Sequence, residues 1–394
     1  MPSTASVSRR AAERVHRGHP WIYQSDLVSV DADPGDLVRV LTERDRPIGW
    51  AFWNSQSQIA LRMVSTATAA QPLDERELFT SRIDAAVRYR DSLAIDSTAC
   101  RLISAEADRL PGVIVDCYAD DSGVYLVVQT LSLGADRRLA DIVDLLVARL
   151  QPRGVLVRND PRVRHLEGLD DRVEVVYGEV PELIYVREGD VTFSVDVRHG
   201  QKTGLFLDQR ENHIAAAEYT RGRALDAFTY NGGFALALAG RADHVLALDS
   251  SAPAVAATLE NAKANGMTNV EVRETNVFDE LRELEIAREQ FQMIVLDPPA
   301  FAKNRASVER AVAGYKEINL RALKLLAPGG YLMTCSCSYN IDEALFMHTI
   351  QEAAIDAHAT VVLVEKRTQA RDHPILLNVP ETYYLKCLVL RRLE

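Results

Sequence analysis

From about Arg221 to its last residues the chain alternates short apolar runs with stretches of helical length, and few sequence patterns restrict a fold more. ALDAF, VLALD, VEVRE, MIVLD and YLMTCS follow one another with long spacers, two of which predict helices over 306–326 and 341–357. A parallel neighbour can be reached only through a crossover, and helical crossovers cover both faces of a sheet. Apolar strands spaced this way therefore predict a doubly wound α/β sheet with a parallel core. VVLVEKR and YYLKCLVLRR supply further strands.

Upstream the pattern changes. Between residues 36 and 64, Val38, Val40, Ile48, Trp50, Phe52, Ile59, Leu61 and Met63 recur at period two, which predicts half-buried strands in a small β-rich domain ending near Ser65. Thr66–Pro72 lacks bulky apolar residues and reads as a linker. Asp74 and Glu77 have capping-box spacing at the head of an amphipathic helix running to about Leu93. CRLISAE, GVIVDCY, VYLVVQT and VLVRND read as strands, with a helix over 134–151. Val173 to Asp190 is acidic and reads as turns leading into the strand VTFSVDV.

Composition narrows the class. At 394 residues, 47% hydrophobic and 26% charged, the chain is outside the disordered, collagenous and disulfide-scaffold classes. No apolar run approaches the ~18–20 residues that cross a bilayer, and the basic N-terminus lacks the hydrophobic stretch of a secretory signal. Five scattered cysteines fit a reducing compartment, so a cytoplasmic location and no membrane partner are expected. The net charge of −11 argues against nonspecific coating of nucleic acid, which rests on clustered cations. Local recognition stays open. Arg9, Arg10, Arg14, His16, Arg17 and His19 stand against one acid, Glu13, with Trp21 and Tyr23 alongside as stacking surfaces. An ordinary solvated segment has the same composition.

The carboxyl ends of the sheet strands carry the chemistry, since ligands bind there. The first ends in Asp226-Ala227-Phe228-Thr229-Tyr230-Asn231-Gly232-Gly233, where glycines let a ligand approach the backbone. The pattern is not GxGxxG, so a dinucleotide pyrophosphate is a poor fit. Asp249, followed by Ser250, closes the second strand, where a carboxylate receives ribose hydroxyls. Asn276 and Val277 follow the third strand and suit an adenine edge; Asp297-Pro298-Pro299 ends the fourth. Four such elements in order point to S-adenosyl-L-methionine, which has ribose and adenine but no phosphate. Candidate cofactor contacts are Asp226, Phe228, Thr229, Asn231, Gly232, Asp249, Ser250, Asn276, Val277 and Asp297.

The next strand, Thr334-Cys335-Ser336-Cys337-Ser338, selects among methyl-transfer reactions. An exocyclic amine needs no protein nucleophile. C5 of a pyrimidine does, because a thiolate adding at C6 makes C5 enamine-like. An acid at N3 stabilises the developing charge, and Asp297 is placed to serve. Either cysteine alone reads as a small buried hydrophobe. No second Cys or His pair stands nearby to complete a zinc site, so no metal is expected. Cys337 lies two residues nearer the crevice than Cys335 and is the candidate nucleophile, with Cys335 as packing behind it.

The chain resembles the PUA-containing class I methyltransferases that make 5-methylcytosine in large-subunit ribosomal RNA, the RlmI-like family. The resemblance runs through His19-Pro20-Trp21, Arg101-Leu102-Ile103, Glu106 to Gly112, His199 to Gly204, Leu207-Asp208-Gln209-Arg210, Asp297-Pro298-Pro299, Gly314-Tyr315-Lys316, Ser336-Cys337-Ser338 and Asp372-His373-Pro374. It implies three domains: an RNA-binding PUA domain over 1–68, a central α+β (EEHEE) domain over 73–185, and a Rossmann-like methyltransferase domain over 186–394. It implies a nucleophile in the Ser-Cys-Ser motif, which maps onto Cys337. It also makes Gln209 and Arg210 cofactor contacts, and Lys202 an RNA contact beside Arg9, Arg10, Arg14, Arg17, His19 and Trp21. The sequence departs from the family at Asn276, where many relatives carry Asp, and at Ala300, where two-cysteine enzymes carry the second Cys. Asp372-His373-Pro374 reads as a structural turn. Large-subunit ribosomal RNA is the expected partner; the sequence does not set the oligomeric state and leaves a homodimer open. Two alternatives accompany this reading: methylation of another base atom, such as guanine N7 or an exocyclic amine, and a non-catalytic RNA-binding assembly factor.

Overall fold

The computed structural model describes residues 3–69, 71, 73–302 and 304–393. The ends of the expected PUA and methyltransferase boundaries (Met1, Pro2 and Glu394) and Ala70 and Pro72 of the expected linker lie outside the described residues. Two compact units emerge: Met1–Val186 with Val195–Leu205 and Arg371–Thr382, and Arg187–Ser194 with Phe206–Ala370 and Tyr383–Glu394.

Among the described residues, the first unit holds two sheets. The N-terminal one is built from β1 (Thr4–Val7), β2 (Trp21–Ile22), β3 (Leu27–Asp31), β4 (Leu37–Thr42), β5 (Pro47–Trp53) and β6 (Leu61–Ser65) in the order β2-β6-β5-β4-β1-β3. Helix α1 (Arg9–His16) starts at Ser8, whose hydroxyl accepts from the Ala11 amide, and buries Ala11 and Val15 against this sheet's core. Helix α2 (Glu75–Ser92) starts where Asp74 caps the Glu77 amide at 3.0 Å. It packs on the second sheet, made of β7 (Ala99–Ser104), β8 (Val113–Asp120), β9 (Gly123–Thr130), β10 (Gly154–Asn159) and β11 (Arg172–Gly178) in the order β11-β10-β9-β8-β7.

Two expectations need correction here. The helix over 134–151 is two pieces, α3 (Leu133–Asp136) and α4 (Leu139–Leu150). The stretch from Val173 to Asp190 is not all turns: it holds β11 and β12 (Ile184–Glu188), the latter in a hairpin with β13 (Val191–Val195). β11 is an edge strand with Val173 and Tyr177 exposed, so Arg172 and Glu174 give it the composition of a loop.

A buried ionic cluster links the two sheets of this unit. The Arg62 guanidinium donates to Glu106 and to Glu167, each at 3.0 Å, and Asn54 Nδ2 donates to Glu167 at 3.0 Å. Asp372-His373-Pro374 is structural: Asp372 accepts from the Arg101 amide and from Arg90, and lies 3.0 Å from His373 Nδ1.

The second unit is the doubly wound sheet. Among the described residues it contains β14 (Arg223–Ala227), β15 (His244–Asp249), β16 (Val270–Glu274), β17 (Phe291–Leu296), β18 (Leu326–Ser336), β19 (Val361–Arg367) and β20 (Lys386–Arg392), in the order β16-β15-β14-β17-β18-β20-β19. β14 to β18 are parallel; β20 runs antiparallel to both neighbours. Alternate residues serve opposite cores. Ile294, Leu296 and Leu332 face helices α8 (Val277–Ile286), α9 (Val308–Leu325) and α10 (Glu343–Asp356); Met293, Val295 and Met333 face α5 (Arg210–Tyr219) and α6 (Gly233–Ala239). Helix α7 (Ala252–Ala264) connects β15 to β16. No helix among the described residues is long and apolar enough to cross a membrane.

Candidate active site

β14, β15, β17 and β18 bring Ala227, Asp249, Leu296 and Ser336 to one edge of the sheet. The turn after β14 is held in rarely used backbone conformations, with φ +70° at Phe228, +53° at Tyr230 and +91° at Gly232. The two non-glycine residues among these cost of order 1–3 kcal/mol each, and such strain clusters where a backbone must meet a ligand. Neighbouring strands hold the turn in place: the Phe228 and Thr229 amides both donate to Leu248 O at 2.9 Å, and the Tyr230 amide donates to Asp249 Oδ2 at 2.9 Å. Gly233 has no room for a side chain, since a Cβ there would lie 2.6 Å from His213 Cε1.

Asp226 sits fully buried beneath this turn. Its Oδ2 accepts from Thr229 Oγ1 at 2.6 Å and the Ala235 amide at 2.9 Å, while Oδ1 has no hydrogen-bond partner among the described residues. Burial pushes its pKa up to about 7 against the opposing Thr229 bond and His213 charge. His213, from α5, lies 2.6 Å from Glu188 of the hairpin. Burial alone would lower its pKa, but Glu188, with Asp297 and Asp226, outweighs burial and holds the imidazole above its ordinary value. Gln209 and Arg210, where α5 begins, are buried as well, and Gln209 Nε2 has no partner among the described residues. An acceptor and a donor left over in a buried site can serve the ammonium and carboxylate of an amino-acid ligand.

The rest of the candidate cofactor set surrounds this centre. Asp249 Oδ1 accepts from the Ser251 amide at 2.9 Å, and Ser250 is exposed beside it. Asn231 is buried, its carbonyl taking a bond from Asn261. Asn276 Oδ1 is spent on capping α8, accepting from the Phe278 amide at 3.0 Å; Val277 is buried in the core. Phe228, Phe278 and Phe301 form an aromatic cluster with centroids 6.0–6.5 Å apart.

Cys335 and Cys337 have different surroundings. Cys335 is fully buried opposite Cys387 in the α5/α6 core, and burial, then Cys387, pushes its thiol well up. Cys337 follows the last residue of β18 and is part-exposed, with Sγ 3.9 Å from the carbonyl of Pro298 in the Asp297-Pro298-Pro299 loop. Its flanking serines are pinned. Ser336 Oγ donates to the Tyr315 hydroxyl at 3.0 Å, Ser338 Oγ lies 3.0 Å from the same hydroxyl, and Ser338 Oγ accepts from the Ala302 amide at 3.1 Å. Lys386 Nζ donates to Ser338 O at 2.8 Å and Tyr384 O at 2.9 Å.

Sequence reasoning assigned no role to Tyr315, Lys386, His213 or Glu188. A signal existed for two of them: Lys386 is the one charge inside the apolar run YYLKCLVL, and Tyr315 sits in the Gly-Tyr-Lys motif. Glu188 and His213 become partners only through folding.

The candidate RNA residues belong to the first unit. Arg9 pairs with Glu13; Arg10 and Arg14 both bind the buried Asp26, and Arg17 is exposed. His19 lies 3.3 Å from Glu381. The Trp21 indole N–H donates to Glu106 at 3.0 Å, and Arg62 lies over its ring. Lys202 is exposed, at φ +52°.

Known proteins share this plan. A PUA-like domain profile matches residues 6–66, and the S-adenosylmethionine-dependent methyltransferase profile matches residues 147–391. The ribosomal RNA large subunit methyltransferase I of Aeromonas hydrophila is 41% identical over 95% of this chain and 96% of its own. That of Tolumonas auensis is 38% identical over 99% and 100%. In fold, the chain matches SMU.776 complexed with SAH at a TM-score of 0.84 and 21% identity, over 98% of this chain and 99% of that one. A Streptococcus mutans structure matches at 0.82 and 20%, over the same shares. With a profile spanning most of its length and relatives of this identity end to end, the chain belongs to the S-adenosylmethionine-dependent methyltransferases, in the PUA-containing ribosomal RNA large subunit methyltransferase I family.

Proposed function

We propose that this chain methylates C5 of a cytosine in large-subunit ribosomal RNA through a transient bond between Cys337 and C6. The observation that carries the reading is the part-exposed Cys337 thiol against the Asp297-Pro298-Pro299 loop, at the edge where Asp226 and the glycine turn lie. The name shared by the relatives supplies the ribosomal RNA.

S-adenosylmethionine, when bound, supplies a methyl group on a sulfonium sulfur. Asp226 Oδ1 would hold its ammonium, Gln209 and Arg210 its carboxylate, Asp249 and Ser250 its ribose, and Asn276 and Val277 its adenine edge. Phe228, Thr229, Asn231 and Gly232 frame the turn, with Phe278 and Phe301 offering apolar faces. Cys337 adds through Sγ to C6 and pushes electron density to C5. Asp297, at the head of a proline-stiffened loop, hydrogen-bonds N3 and takes the developing charge. Once C5 carries the methyl, water takes the C5 proton and Sγ leaves C6 with the bonding pair as thiolate, which restores the ring. The base must leave its stack to reach Cys337, and Arg9, Arg10, Arg14, Arg17, His19, Trp21 and Lys202 of the first unit would hold flanking RNA. The same reading divides the chain at 1–68, 73–185 and 186–394.

The test is transfer of labelled methyl to large-subunit ribosomal RNA, with nuclease digestion and mass analysis of the product. We expect 5-methylcytosine from the wild type and none from Cys337→Ala. A methyl group on guanine N7 or an exocyclic amine would replace this reading with an amine- or N7-directed enzyme. Absence of any transfer would replace it with an assembly role.

A further inference from the structure

The Lys386 ammonium lies at this edge, and the reaction above leaves it unused. It is 3% exposed, and among the described residues its hydrogen bonds go to carbonyl oxygens, of Ser338 and Tyr384, rather than to a carboxylate. A buried cation hydrogen-bonded to neutral dipoles has no carboxylate in direct contact, and burial on those terms is costly. Ser338 follows Cys337 directly, and Lys386 is the register partner of Ser336 in β20, so the cation is fastened to the segment that carries the thiol.

We propose that the Lys386 ammonium is a positioning residue that stabilises the Cys337 thiolate and fixes the backbone on which it stands. This rests on the reading of Cys337 as nucleophile. Burial brings the Lys386 pKa down to about 8, while the charges of Cys337 and Asp342 act to raise it, so lysine and thiol sense each other. At neutral pH the ammonium form therefore prevails. Among the described residues, Tyr315 from α9 also senses Cys337, Asp342 at the head of α10 acts on Lys386, and Asp297 heads the loop whose Pro298 carbonyl meets Sγ. On ionisation the Cys337 proton passes to solvent and Lys386 keeps its own. When Sγ later leaves C6 it takes the bonding pair and becomes thiolate again, so one cation assists both attack and release.

The experiment measures the rate at which iodoacetamide alkylates Cys337 against pH, mapped by peptide mass, in the full chain. In the wild type the midpoint should lie below the ~8.5 of a free cysteine. In Lys386→Met it should rise by about one pH unit or more, slowing alkylation about tenfold at neutral pH, while Lys386→Arg stays near wild type. S-adenosylmethionine affinity, measured in parallel, reports whether each variant is folded. A wild-type midpoint at or above that of free cysteine overturns the proposal, even if Lys386→Met fails to fold. A folded Lys386→Met variant with an unmoved midpoint, or Met and Arg variants shifted equally, overturns it too. Alkylation needs no RNA, so these outcomes are separate from the failure of the nucleophile reading, which would appear as methyl transfer surviving Cys337→Ala.

Discussion

Ser336 gives its hydroxyl proton to the Tyr315 oxygen across 3.0 Å, tying the end of β18 to the middle of α9. With Ser338 on the same oxygen, one phenol braces both neighbours of Cys337, and burial pushes that phenol's pKa up to about 12, so it stays neutral. Tyr315→Phe removes both bonds while keeping the ring against Phe301 and Phe346. We expect about 1–2 kcal/mol of lost stability in thermal melts. We also expect roughly tenfold lower kcat with unchanged S-adenosylmethionine affinity, since a misplacement of about 1 Å can cost a reaction about 10²-fold and loss of the brace allows a smaller one.

The two cysteines should separate cleanly. Cys337→Ala should lose methyl transfer by a factor of at least about 10³ while binding cofactor normally. Cys335→Ala should keep transfer and instead melt earlier, by about 1 kcal/mol of lost packing in the α5/α6 core. Transfer assays and melting curves on the two variants check both halves.

If Asp226 holds the cofactor ammonium as proposed, cofactor binding should depend on pH. With its folded pKa near 7 against an ordinary 3.8, the folded apoprotein binds a proton that the unfolded chain has already released between those values. Its contribution to stability is therefore full at low pH and lost as pH rises through about 7. A ligand ammonium wants the carboxylate, so S-adenosylmethionine should bind about tenfold more tightly at pH 8 than at pH 6. Calorimetric titration across that range should show the trend, and Asp226→Asn should flatten it.

Gly233→Ala forces a methyl group into the His213 imidazole, which is itself held by Glu188 and Phe234. Overpacking of that kind costs about 1–3 kcal/mol. The displaced turn should also weaken cofactor binding, and differential scanning calorimetry with and without S-adenosylmethionine separates the two effects.

In the first unit, Glu167 answers Arg62, Ser57 and Asn54 at once. Burial would raise its pKa, yet Arg62 and these donors hold it below the usual carboxylate range, so its contribution fades as pH falls through that range. Glu167→Ala leaves Arg62 with Glu106 alone and takes the acceptor from Ser57 and Asn54, and should cost roughly 1–3 kcal/mol in denaturant unfolding.

The doubly wound sheet was legible because strands such as MIVLD and VLALD are apolar on both faces and recur between helices. The thiol nearest the crevice was legible for a related reason: position along a strand fixes which residue reaches its carboxyl end. β11 escaped because an edge strand is free to be polar, and the break between α3 and α4 because Arg137 and Arg138 do not interrupt helical composition. The partners of Cys337 escaped for a deeper reason. Tyr315 and Lys386 meet Ser336 and Ser338 through a helix crossover and a returning antiparallel strand, and pairings of that kind are decided by three-dimensional closure rather than by local pattern.

The reversal of β20 has a mechanical corollary. Where its parallel neighbours bring their last residues to the crevice, β20 brings its first, so opposite chain directions converge on one sulfur. Side chains alternate along a strand, and a single residue inserted just ahead of Lys386 would swap which of Lys386 and Cys387 points toward α9 and which toward α5. Length changes in that short lead-in should therefore be felt as lost chemistry, whereas the same changes at the far rim of the sheet should pass as harmless loop variation.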